Sequence, residues 1–219
     1  MNIEDRVKAI LKELPQGVIL EGAAKGRTPK EIEQAINAGI KVIGENYVKE
    51  AKEAIAIIGS KARWHFIGHL QRNKVKVVVS LFDMIETLDS LELAREIDKY
   101  SGRLNKIMPV LVEVNSASEP QKSGLIPQKV EEFLYKIGEF QNLKILGLMT
   151  MGPFLPDPQD LRPYFRDTAN LFKYLANKKL PSNVEMRYLS MGMSATYKVA
   201  IEEGANIIRI GTFIFGPRS

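Results

Sequence analysis

Residues 185–216 read EMRYLSMGMSATYKVAIEEGANIIRIGTFIFG. A β-rich run, EMRYLSMG (185–192), is followed by an amphipathic helical pattern over about 194–203. A second β-rich run, NIIRIGTFIFG (206–216), follows at once. Glu203-Gly204 has the form of a helix C-terminal stop between them. Strand, helix and strand in so short a span make one βαβ unit, the building block of a parallel sheet.

The same unit recurs back toward the N-terminus. Further strand patterns fall at 17–24, 41–45, 63–68, 82–88, 106–115 and 143–151. Helical patterns lie between them at about 29–38, 47–58, 70–79, 90–100, 127–140 and 160–178, and an opening helix covers about 2–14. Thr28-Pro29 supplies an N-cap with proline at the first helical position. Eight strands alternating with seven helices predict a single (β/α)8 TIM-type barrel over 1–219, with an extra N-terminal helix. A doubly wound open sheet shows the same alternation, but the count of eight favours the barrel. No Gly-x-Gly-x-x-Gly or P-loop signature follows a strand, which removes the common nucleotide-binding motifs.

Composition narrows the chemistry. Hydrophobic residues are 45% and charged residues 26% of the 219, so a packed globular core is expected rather than disorder. No apolar run reaches the roughly 18 residues that cross a bilayer. The N-terminal MNIEDRVKAILKEL lacks the apolar core of a signal peptide, so a cytoplasmic location without membrane contact is expected. The absence of cysteine excludes disulfides, thiolate metal sites and cysteine nucleophiles. The two histidines, His65 and His69, sit in WHFIGH, which reads as a strand ending at glycine, so no metal site is expected. The net charge of +5 is spread along the chain without a basic, aromatic-interleaved block. That suits a small anion such as a phosphate ester better than nucleic acid.

In a barrel the functional face is built at the C-terminal ends of the strands. Lys25 follows the apolar run VILEGAA; a lysine drawn into a barrel mouth loses solvation, which favours a neutral, nucleophilic amine. The bland alternative is a solvated lysine opening a loop. Arg209 lies between isoleucines, where a guanidinium needs a partner from protein or ligand. Gly211-Thr212 comes next, with backbone N–H groups and a hydroxyl suited to phosphate oxygens. Ser194 reads as the N-cap of the helix after strand seven, a second anion-favouring point. Glu45-Asn46 closes the second strand and is either a polar loop start or a pair that orients a ligand or Lys25. Trp64 and Phe66 read as packing, and Met149, Met151, Met191 and Met193 as pocket wall or barrel filling.

Seven ordered segments carry a resemblance: GAAKGRTPKEIEQAINAG, IGENYVKEA, WHFIGHLQRNK, EVNSASEPQKSGL, GLMTM, LSMGMSATYKVAIEEG and IRIGTFIFGPR, spanning about 17–218. Together they resemble the YggS-type pyridoxal-phosphate homeostasis protein family, whose barrel is alanine-racemase-like and of fold type III. The resemblance implies pyridoxal 5'-phosphate covalently bound to Lys25, with Ser194, Gly211 and Thr212 at its phosphate. It implies Arg209 facing the pyridine nitrogen and Asn46 close to the cofactor. It also implies a carrier and regulator of vitamin B6 supply with little or no turnover, whose partners would be the cofactor and apo-enzymes that require it. The chain departs from the family at three places. Ala23-Ala24 and Gly26-Arg27 flank Lys25 where Val-Ser and Thr-Lys are common. Glu86-Thr87 stands where His-Ser or a similar pair is frequent, and Ala195-Thr196 where an acidic residue is usual. Two other readings stay open: a pyridoxal-phosphate-dependent amino-acid racemase, and a cofactor-free aldolase using Lys25. With the last strand pattern ending at Gly216, no further domain is expected to cover the mouth, which weighs against the racemase.

Overall fold

The computed structural model of the protein describes residues 1–217. The last two positions of the domain expected over 1–219, and the end of the seventh resemblance segment, lie outside the described residues. The chain begins with helix α1 (Ile3–Glu13) and strand β1 (Ile19–Ala23), then α2 (Pro29–Asn37) and β2 (Val42–Glu45). It continues through α3 (Val48–Ile58), β3 (Arg63–Phe66), α4 (Val75–Leu81), β4 (Met84–Leu88), α5 (Leu91–Arg103) and β5 (Met108–Glu113). The remaining elements are α6 (Pro127–Ile137), β6 (Leu143–Met149), α7 (Arg162–Ala176), β7 (Val184–Ser190), α8 (Tyr197–Glu202), β8 (Ile207–Ile210) and α9 (Thr212–Phe215).

The strands close into one parallel barrel in chain order, β1 to β8. Closure is made by β1 on β8, with Leu20 opposite Ile208 and Glu21 opposite Arg209. The helices that flank the strands form because their sequences start and bury well. In α2, for example, Thr28 and Glu31 cap each other reciprocally, Pro29 opens the first turn, and Ile32, Ala35 and Ile36 are buried. The main core lies between strands and helices. Val110, Val112, Ile145, Leu148, Ile208 and Ile210 pack there with helical residues such as Ile32, Val78, Ile97, Leu134 and Phe165. Burying each such side chain stabilises the fold by about 1.5–3 kcal/mol.

The barrel interior is different. A small apolar set, Met84, Leu111, Leu146 and Met149, is packed by Tyr188. Beside it lie buried polar groups, Glu21, His65, Glu86, Ser190 and Arg209. Gly44 on β2 makes room for them, since a Cβ at that position would collide with the Glu21 carboxyl.

Two sequence expectations are corrected. The last strand does not run to residue 216; it ends at Ile210, and Thr212–Phe215 form a one-turn helix. Gly211 leaves the extended region at φ −108°, ψ −76°, its carbonyl accepts the Phe215 N–H, and the turn buries Ile214 and Phe215. Ser194 is not a helix N-cap. The Met193 carbonyl accepts the N–H groups of Thr196 and Tyr197, the Thr196 hydroxyl accepts the Met193 N–H, and α8 starts only at Tyr197. Among the described residues, no helix is long and apolar enough to cross a membrane.

Candidate functional site

A cavity of about 210 Å³ opens at the C-terminal end of the barrel. Its lining gathers Lys25, Asn46, Ser194, Arg209, Gly211 and Thr212, all six residues singled out in the sequence, together with Ala23, Arg27, Met193 and Ala195. Three of these are cationic, and no carboxylate lines the cavity among the described residues. A larger groove of about 750 Å³ adjoins it and shares Asn46, but holds none of the other five.

The six residues reach the cavity from four strand ends: Lys25 after β1, Asn46 after β2, Ser194 after β7, and Arg209, Gly211 and Thr212 at the end of β8. Lys25 stands two residues beyond β1, on a loop held by the Gly26 N–H, which donates to Glu50 Oε2 at 2.8 Å. Its half-buried ammonium lies 4.9 Å from the centre of the Tyr47 ring and has no ion-pair partner among the described residues. Arg27, by contrast, is committed. Its guanidinium donates to the Gly216 carbonyl at 2.5 Å, to the Pro217 carbonyl at 3.1 Å and to Glu31 at 3.4 Å. Ser194 faces the start of α9, where its hydroxyl accepts the Phe213 N–H at 3.3 Å. That bond joins the β7–α8 loop to the Gly211-Thr212 turn.

Arg209 forms part of the floor and is 3% exposed. One guanidinium nitrogen donates to Ser190 Oγ at 2.5 Å, and the other to the Thr150 carbonyl at 2.9 Å. Ser190 in turn donates to Glu86 Oε2 at 2.6 Å, and Glu86 Oε1 lies 2.8 Å from His65 Nδ1. Glu21 is next, 3.5 Å from the same nitrogen, with neither carboxyl oxygen hydrogen-bonded. The charges follow from this geometry. Burial alone would lower the His65 pKa, but hydrogen bonds and charge from Glu21 and Glu86 outweigh it, and the ring is held as imidazolium. Burial opposes ionisation of Glu86, yet His65 and Arg209 keep it a carboxylate well below the usual range. Burial and the neighbouring Glu86 charge push Glu21 up, to about 7.

Of the other candidates, Met193 lines the cavity and the rest fall outside it. Glu45 is fully buried, with no partner for either carboxyl oxygen, and burial followed by the Glu50 charge raises its pKa to about 8. Trp64 and Phe66 are buried packing, the latter edge-on to Phe82 at 5.3 Å. The methionines divide: Met149 and Met191 are buried, whereas Met151 and Met193 stand partly exposed at the mouth. The sequence reading missed Arg27 and the Glu21–His65–Glu86 set. Alternation along β1 and β3 could have turned Glu21 and His65 inward, but nothing local pairs them with Glu86.

Residues 9–219 match the family model described as "Alanine racemase, N-terminal domain". The chain is 44% identical over 200 residues to the pyridoxal phosphate homeostasis protein of Aquifex aeolicus, covering 91% of this chain and 86% of that one. The solved structure of PipY from Synechococcus elongatus PCC7942 without PLP superposes with a TM-score of 0.91 at 30% identity, covering 98% of this chain and all of that one. The structure of PipY with PLP bound gives 0.86 at 29% identity over the same shares.

Proposed function

We propose a function from the premise that the chain belongs to the pyridoxal phosphate homeostasis proteins, within the alanine racemase N-terminal domain family: it binds pyridoxal 5'-phosphate and serves intracellular vitamin B6 supply. One observation carries this reading. A single cavity gathers an amine without an ion pair, two guanidinium groups, two hydroxyls and a helix start, with no carboxylate among the described lining residues.

That donor set fits the cofactor. Bound pyridoxal phosphate supplies an aldehyde that can bond covalently to a neutral amine, and a dianionic phosphate. Lys25 Nζ is the attachment point. Ser194, with Gly211 and Thr212 at the first turn of α9, takes the phosphate, where N–H groups and hydroxyls suit anionic oxygens. Arg209 takes the pyridine-nitrogen side, and Asn46 the edge of the ring. A fixed guanidinium there would keep the ring nitrogen of the bound cofactor unprotonated, because two positive charges in contact repel. The ring would then withdraw electrons weakly, which would slow loss of a substrate's α-proton.

A racemase also needs acid/base groups on both faces of its substrate. Among the described residues lining the cavity Lys25 is the one amine, and no histidine or carboxylate joins it; Tyr47 stands beside Lys25 in the adjoining groove, its ring centre 4.9 Å from the ammonium. On this reading the protein acts in the cytoplasm as a holder of the cofactor, releasing it to apo-enzymes that require it. The test is a titration of the purified protein with pyridoxal phosphate, read by absorbance and followed by borohydride reduction. Uptake of one covalently fixed cofactor per chain supports the reading; no uptake at any cofactor concentration overturns it.

A further inference from the structure

We infer that Glu86 and His65 are positioning residues for Arg209 and act on it through Ser190. The four side chains come from β4, β3, β7 and β8. Strands β4 and β7 are not neighbours in the barrel, so the 2.6 Å bond from Ser190 to Glu86 crosses the interior. Every member is 4% exposed or less, which leaves water little part in satisfying them. The Ser190 hydroxyl has one proton. The hydroxyl donates it in the hydrogen bond to Glu86, so the oxygen's lone pairs are turned toward Arg209, the donor at 2.5 Å. With its Oε1 against His65, Glu86 has no freedom to swing away.

Glu86 is also the one carboxylate within 4.0 Å of the Arg209 guanidinium among the described residues. Removing it leaves Arg209 buried with a hydroxyl that can rotate, the Thr150 carbonyl and the weakly accepting Met151 sulfur at 3.3 Å as its remaining anchors. The guanidinium forms part of the cavity floor, so its orientation decides what the floor offers a ligand. Arginine position is thus set from beneath, by residues that do not line the cavity. Glu86 is also a position at which the chain departs from the sequence pattern it resembles.

The experiment has two arms, of which only the second rests on the proposed cofactor binding. In the first, nitrogen-15 NMR of the ligand-free protein follows rotation of the Arg209 guanidinium in wild type, Glu86→Gln and Ser190→Ala. Restricted rotation in wild type, released in both variants, is expected. Unchanged rotation in the variants overturns the inference. Ser190→Ala removes no charge and keeps this arm decisive should Glu86→Gln fail to fold.

The second arm measures the dissociation constant of pyridoxal phosphate, with inorganic phosphate as the control probe. Each variant should weaken the cofactor roughly tenfold, the scale of one hydrogen bond to a charged group. Phosphate affinity should stay unchanged. The double variant should be no weaker than either single one, because both break one chain of contacts. Additive losses of about a hundredfold would mean that Glu86 and Ser190 act separately, and would overturn the inference. If wild type takes no cofactor, the proposed function falls and the first arm still decides the positioning role.

Discussion

The ammonium of Lys25 lies 4.9 Å from the centre of the Tyr47 ring, at the point where the first two βα loops meet above the barrel. The aromatic face steadies the cation without supplying a proton acceptor. The contact holds the Lys25 side chain at the cavity that Ser194 and Thr212 also line.

Borohydride treatment of the cofactor-loaded protein should therefore fix the label on Lys25. Lys25→Ala should carry no fixed label, while some phosphate-anchored binding survives. Peptide mapping by mass spectrometry is the check, and a label found mainly on another lysine would sink the assignment.

Removal of the Ser194 or Thr212 hydroxyl should weaken pyridoxal phosphate binding by about 1–3 kcal/mol each, the range for hydrogen bonds to charged groups. Pyridoxal without the phosphate should be far less sensitive. Equal losses for both ligands, measured by fluorescence titration, would show that the hydroxyls brace the loops rather than bind the anion.

Glu45 gives the protein a pH signature. Its folded pKa is raised to about 8 by burial, then by the Glu50 charge, so the native state holds a proton that the unfolded chain releases near 4.5. Stability falls as pH rises through that window, from about 5 to about 8, and the contribution is fully present only below it. Glu45→Gln mimics the protonated form. It should flatten the slope of denaturant-derived stability across this range and raise stability at the alkaline end. A wild-type profile that rises with pH, or an unchanged slope in the variant, would contradict the assignment.

Incubation of the loaded protein with L-alanine in deuterated water should give α-proton exchange slower than roughly one per second, the lower end of ordinary enzyme turnover. Exchange within the enzyme range, followed by NMR, would replace the carrier reading with a racemase.

How much of this was legible in the sequence differs from residue to residue. The barrel itself was, because eight β-rich runs separated by amphipathic stretches leave few alternatives. The six cavity residues were named from two sources, the barrel rule that directs attention to strand ends and the family resemblance that narrowed those ends to six. The stretch GTFIFG misled: threonine, isoleucine and phenylalanine favour a strand, but Gly211 turns the chain and core burial of Ile214 and Phe215 outweighs propensity. Ser194 looked like a cap because caps are read locally, whereas its partner, Phe213, lies 19 residues on, across a strand. The Glu86–Ser190 contact, spanning 104 residues, has no local signal at all.

The pairing of β1 with β8 has a consequence for synthesis. Residues 19–22 meet their partners only when residues 207–210 have been made. Until then a growing chain exposes two unpaired, largely apolar strand edges, one on the first strand and one on the latest. Arg27 must likewise wait for the Gly216 carbonyl, 189 residues downstream. A chain truncated before that point would be recognised by its open edges and become a substrate for chaperones or proteases, so the finished ring itself reports that translation reached the end of the barrel.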